Sequence, residues 1–176
     1  CQVVALAASQ ALAEYGVELK IKWPNDLVQD HRKVGGILVE EKGDNIVVGV
    51  GMNITIAPEV EKMRDEHVLA AGVLTSSARR QDQAGSSDFG PLGLWRSLVN
   101  CSQKLYTIQS KRVAEDLVRQ VDQRLYLRNE HVSVNTPEGE KQAQVLGLDA
   151  GGGLRVFMDG AKQVLTSASL MPLKNA

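Results

Sequence analysis

The sequence predicts an α/β (α+β) fold: a mixed, mainly antiparallel sheet with flanking helices, followed by a small C-terminal antiparallel β-barrel. Three observations carry this. Strands read over 18–23, 34–40 and 46–53, the first alternating with period two, and the turns between them are short enough to favour antiparallel neighbours. Three-four apolar spacing marks helices on both sides of them. From residue 128 the period returns to two, in short runs divided by Gly, Pro and Asp.

Taken in order, 3–15 places Val4, Ala8, Ala11, Leu12 and Tyr15 on one helical stripe, and Gly16 follows as a C-cap. This amphipathic helix is expected to pack on the sheet. The three strands follow, separated by turns at Gln29-Asp30-His31-Arg32 and Gly43-Asp44-Asn45. Helices are expected over 59–74, 92–106 and 113–127, the last with Val113, Leu117, Val121 and Leu125 in register. Between the first two, 76–90 has almost nothing to bury and reads as a surface loop, its Arg79 and Arg80 solvated. Strands at 131–135, 143–148, 154–158 and 163–167 complete the chain, with turns at Pro137-Glu138-Gly139, Gly151-Gly152-Gly153 and Asp159-Gly160. The domains are therefore 1–127 and 128–176.

Composition narrows the function. The chain of 176 residues, 43% hydrophobic and 23% charged, can bury one good core or a medium core with a satellite. A net charge of -1 argues against non-specific nucleic-acid binding by the whole chain, and no apolar run is long enough to span a membrane. Cys1 and Cys101 have no metal-site spacing, which points to a reducing, cytoplasmic setting. A chain opening on Cys1 rather than Met is expected to be part of a longer one. His31, His67 and His131 show no ligand spacing, so no metal ligands are assigned. The Gly151–Gly153 run lacks the Lys-Ser/Thr and the helix of a phosphate loop and reads as a hairpin turn.

The most informative stretch is Lys20-Ile21-Lys22-Trp23-Pro24-Asn25-Asp26-Leu27, followed by Lys33-Val34-Gly35-Gly36-Ile37-Leu38-Val39-Glu40. Alternation puts Leu19, Ile21 and Trp23 on one face and Lys20 and Lys22 on the other, so Lys22 is expected to face away from the core. Pro24, Asn25 and Asp26 end the strand in a turn just after the lysine. Two glycines opening the next strand give up packing and mark a bulge or a place where something flat lies on the backbone. Singly these are a solvated lysine, an ordinary turn and a bend; together they lay out a binding site.

Lys22-Trp23-Pro24-Asn25-Asp26, then Lys33-Val34-Gly35-Gly36-Ile37-Leu38, then Val48-Gly49-Val50-Gly51-Met52-Asn53-Ile54 resemble the central motifs of biotin protein ligases (holocarboxylase synthetases). Val145-Leu146-Gly147-Leu148-Asp149 and Gly153-Leu154-Arg155-Val156 are similar to that family's C-terminal β-domain. From 59 to 127 only the presence of helices matches.

The resemblance implies part of a class II synthetase-like catalytic domain with an SH3-like β-barrel appended. It also implies a two-step reaction: biotin and ATP, with Mg2+ as counterion, give biotinyl-AMP and pyrophosphate, and the biotin then passes to a lysine of the biotin-carboxyl-carrier domain of a carboxylase. Lys22 is the implied catalytic cation, contacting the biotin carboxylate and the adenylate linkage. Leu27, Gly35, Gly36 and Asn53 join it as implied biotin- and adenylate-binding residues, the glycines letting the backbone lie against biotin and Asn53 lying near the phosphates. Asn25 and Asp26 shape the turn and orient Lys22, and Asp26 is a candidate for helping the incoming lysine lose its proton. The family's Gly-Arg-Gly-rich loop, with a Ser/Thr and a Gln that grip the biotin ring, is not found before Lys22. The segment alone is therefore expected to be inactive or nearly so. A lipoate-type protein ligase and a non-catalytic protein-binding module are the alternatives.

Overall fold

A computed structural model describes residues 1–58, 69–76, 90–106 and 111–173. In chain order the elements are α1 (Gln2–Ala13), β1 (Lys20–Lys22), β2 (Asp26–Gln29), β3 (Arg32–Lys42), β4 (Asn45–Met52), α2 (Pro91–Tyr106), α3 (Lys111–Gln123), β5 (His131–Thr136), β6 (Gly139–Leu148), β7 (Leu154–Met158), β8 (Ala161–Leu165) and β9 (Ser169–Pro172). Strands β1 to β4 form one antiparallel sheet in sequence order, and the other five form a second in the order β8-β7-β6-β5-β9. The mixed α/β class with antiparallel sheets is as the sequence predicts.

The first helix departs from expectation. It is not amphipathic: Val4, Ala5, Leu6, Ala7, Ala8, Ser9, Ala11 and Leu12 are all buried. Small alanines let neighbours approach from several directions, and α2, α3 and β1 all pack on it. The helix ends two residues early in a Schellman turn. Val17 N–H reaches Leu12 C=O at 3.1 Å, Gly16 N–H reaches Ala13 C=O at 3.0 Å, and Gly16 takes φ 69°.

The strand expected over 18–23 is confined to β1, and the supposed turn residue Asp26 opens a strand of its own. This hairpin is made possible by Asp30 and His31, both at positive φ (49° and 60°), which form a two-residue turn between the paired Gln29 and Arg32. The free edge of β1 is closed by the end of the α3 segment, where Ile21 N–H bonds Arg124 C=O and Tyr126 N–H bonds Ile21 C=O, each at 2.8 Å. That extended stretch is also why α3 stops at Gln123 and not at Leu127.

Of the helix expected over 59–74, residues up to 68 lie outside the described ones. Residues 69–74 run extended, because Lys33 N–H bonds Ala70 C=O and Gly72 N–H bonds Lys33 C=O. Most of the expected 76–90 loop is likewise outside them.

In the second sheet the last strand, β9, returns to pair with the first, β5. Among the described residues the ladder ends at β8 and β9 without closing, so the sheet is open as paired. Its inner face, with Val132, Val134, Val145, Leu154, Val156 and Leu170, joins the same core as α1 and β1.

Candidate active site

Strand pairing builds the site. Lys22 lies opposite Asp26, Asp26 opposite Gly36, and Gly36 opposite Gly51, so one row crosses all four strands on one face. Asn25 clamps the turn before it: its side-chain N–H donates to Ile37 C=O at 2.9 Å, and Ile37 N–H returns a 2.9 Å bond to Asn25 C=O.

The expectation that Lys22 faces away from the core needs correcting in one respect. It does point away from Ile21, yet it is 8% exposed. Burial pulls its ammonium below the ordinary lysine pKa, the Asp26 carboxylate pushes it back up, and Lys33 lowers it again. Asp26 stands between two cations, with Oδ1 2.5 Å from Lys33 Nζ and Oδ2 3.7 Å from Lys22 Nζ. Two ammonium groups against one carboxylate leave a net positive charge in a partly desolvated row. Such a place stabilises an anion.

The two glycines divide by face. Gly35 is turned toward the core, where a Cβ would meet Gly51 O at 2.5 Å and Leu27 Cδ1 at 3.4 Å. Gly36 faces the row, and its Cβ would make only ordinary contacts, 3.6 Å to Asp26 and 3.7 Å to Lys33. Above it lies an open depression of 510 Å³ bordered by Asn25, Asp26, Lys33, Gly36, Gly49 and Gly51. Leu27 is fully buried on the opposite face, packed near Gly35.

Asn53 sits just past β4 and ties backbone segments together. Its side-chain N–H donates to Gly72 C=O at 2.9 Å, and its backbone N–H and C=O engage Val34 and Leu74, each at 2.8 Å. The structure thus brings Lys22, Asn25, Asp26 and Gly36 together, and places Leu27 and Gly35 behind them. Lys33, which sequence reasoning left without a role, proves to be Asp26's nearest cation. Only the strand register reveals that.

A larger cleft of 880 Å³ lies elsewhere, between the sheets, lined by Glu18, Lys20, His31, Tyr126, Arg128 and His131 among others. It contains none of the row residues, and its cations and carboxylates are mixed, whereas the smaller depression is bordered by Asp26, Gly36 and Gly51 of the row. Among the described residues no group of three or more His, Cys, Asp or Glu could hold a metal ion. No helix among them is long and apolar enough to cross a membrane.

Residues 1–55, which hold α1 and strands β1 to β4 with the Lys22–Asp26–Gly36–Gly51 row, match the model of the Biotin/lipoate A/B protein ligase family. The chain is also similar to biotin protein ligases. It is 34% identical over 94 residues to Biotin--protein ligase 1, chloroplastic, of Arabidopsis thaliana, covering 39% of this chain and 26% of that relative. It is 38% identical over 63 residues to Biotin--[acetyl-CoA-carboxylase] ligase of Mycobacterium tuberculosis, covering 36% and 24%. The chain spans about a quarter of the length of these curated relatives. In fold, the apo biotin protein ligase from Aquifex aeolicus superposes with TM-score 0.70 at 22% identity, over 97% of this chain and 73% of that one.

Proposed function

We propose that the protein acts as a biotin protein ligase, activating biotin with ATP to biotinyl-AMP and transferring it to a lysine of a carboxylase's biotin-carrier domain, in a cytoplasmic setting. The carrying observation is the row Lys22–Asp26–Gly36–Gly51, built from the same residues 1–55 that match the family.

In the first step the biotin carboxylate attacks the α-phosphorus of ATP, and pyrophosphate leaves with the bonding electron pair. Both partners are anionic, so the step needs a cation beside each that does not have to be reorganised. Lys22, held at the end of β1 with its ammonium against Asp26, supplies it. An ammonium on a flexible stem can follow the oxygen atoms as the phosphoryl geometry changes. Gly36, bare of a side chain, gives biotin a flat strand surface in the open depression, with Gly35 and Leu27 packing behind it. Asn53 fixes the end of β4 beside that surface, toward the phosphates. ATP brings Mg2+ as its counterion. In the second step the carrier lysine attacks the acyl carbon of biotinyl-AMP, AMP leaves, and Asp26 is the candidate to help take the proton that the amine loses.

The C-terminal sheet is proposed to be SH3-like. In support, its first four strands run as a meander and its fifth returns to the first. The domain boundary near Leu127 is part of this reading.

Isothermal titration of the full-length parent protein with biotin, lipoate and a non-hydrolysable biotinyl-adenylate analogue tests the proposal. Binding of biotin and the analogue, with lipoate excluded, is the expected result. Preferential lipoate binding would indicate the lipoate-type ligase, and no binding of any of the three would favour a non-catalytic module.

A further inference from the structure

We infer that Lys33 is a positioning residue of this site: it holds the Asp26 carboxylate so that the neighbouring Lys22 ammonium stays incompletely neutralised and open to an anionic group. The inference deepens the proposed function and rests on it for its catalytic meaning.

The strand register argues for it. Leu27 pairs with Gly35 but Val28 pairs with Lys33, so Val34 is an extra residue, a bulge in β3. In a regular strand Lys33 and Gly36, three apart, would point to opposite faces. The bulge re-aims Lys33 onto the face of Gly36 and Asp26, as bulges beside functional sites do. A Cβ on Gly36 would lie 3.7 Å from Lys33 Cε and 3.8 Å from its Nζ, so the stem of Lys33 runs alongside the bare backbone of that glycine.

The bulge is fastened from outside. Lys33 N–H bonds Ala70 C=O at 2.9 Å, Lys33 C=O receives Gly72 N–H at 2.8 Å, and the bulged Val34 C=O receives Asn53 N–H at 2.8 Å. The motif residue Asn53 thereby helps to place Lys33.

The result is an unequal division of one carboxylate. Lys33 Nζ approaches Oδ1 to 2.5 Å, whereas Lys22 Nζ stays 3.7 Å from Oδ2, outside hydrogen-bond range. With Lys33 neutral, Asp26 is free to close on Lys22 and occupy the charge that a substrate oxygen would use. The charged groups that act on Lys22 are Asp26 and Lys33.

The test is an NMR titration of the Lys22 side chain in the wild type, Lys33→Gln and Lys33→Arg, with folding checked by circular dichroism. The expected result is a Lys22 midpoint raised by about one pH unit in Lys33→Gln and unchanged in Lys33→Arg. Pyrophosphate, as a simple anionic probe, should bind about tenfold more weakly to Lys33→Gln only. Asp26→Asn provides a second reading and should lower the Lys22 midpoint. An unmoved midpoint in Lys33→Gln, or equal shifts in both Lys33 variants, would overturn the inference. Shifts as expected in a protein that binds no biotin would uphold the inference and sink the ligase reading instead.

Discussion

The indole N–H of Trp23 donates a 3.0 Å hydrogen bond to the carbonyl of Gly152, in the turn between β6 and β7. The residue next to Lys22 is thus held by the far C-terminal sheet. Gln2 of α1 donates to the same carbonyl at 2.5 Å, so three parts of the chain meet at one oxygen. Trp23→Phe removes one donor and shrinks a nearly buried ring. It should cost about 2–3 kcal/mol and lower Tm by roughly 6–9 °C in a thermal melt.

The division of the two glycines predicts opposite phenotypes. Gly35→Ala drives a Cβ into Gly51 O and should destabilise the fold by about 1–3 kcal/mol in urea unfolding. Gly36→Ala meets only ordinary contacts, so its unfolding curve should match the wild type while biotin affinity falls roughly tenfold or more, read by calorimetry.

Part of this was legible in the sequence. The motif run 22–53 singled out Lys22, Asn25, Asp26 and Gly36, which the strand pairing brings together, because Pro24 and the glycines punctuate short strands strongly. The side-chain row was not, since it depends on a one-residue bulge at Val34 that no local pattern announces. Alternation could show which way Lys22 points but not that neighbours would bury it. The amphipathic reading of α1 followed one stripe, Val4, Ala8, Ala11, Leu12 and Tyr15, whereas Ala5, Leu6 and Ala7 are buried off it. Strand β9 escaped because four residues with a terminal proline carry too little period to read.

Stability should depend on pH through Lys22. Its folded pKa lies below its unfolded one, chiefly by burial, so between the two values the unfolded chain binds more protons and stability rises with pH. Below the folded value the full cost of burying the charge is present. Lys22→Met should therefore be at least as stable as the wild type at pH 7, with the difference shrinking as pH approaches 10.5. Denaturant midpoints at several pH values check it.

Asp122 fastens α3 to β6. Its Oδ1 accepts Leu148 N–H at 2.8 Å, its Oδ2 pairs with Arg128, and Gly147, at φ 124°, leaves it room. Asp122→Ala leaves that amide unpaired and should cost about 1–3 kcal/mol in urea unfolding, with biotin affinity retained.

The central claim is that Lys22 is the cation of an adenylate-forming site. Biotin-dependent ATP–pyrophosphate exchange, measured for the full-length parent protein and for the same protein carrying Lys22→Ala with its fold confirmed by circular dichroism, tests it most directly. The account predicts exchange that requires biotin and falls by about 100-fold or more in the folded variant. Biotin-dependent exchange that persists at the wild-type rate in Lys22→Ala would contradict it.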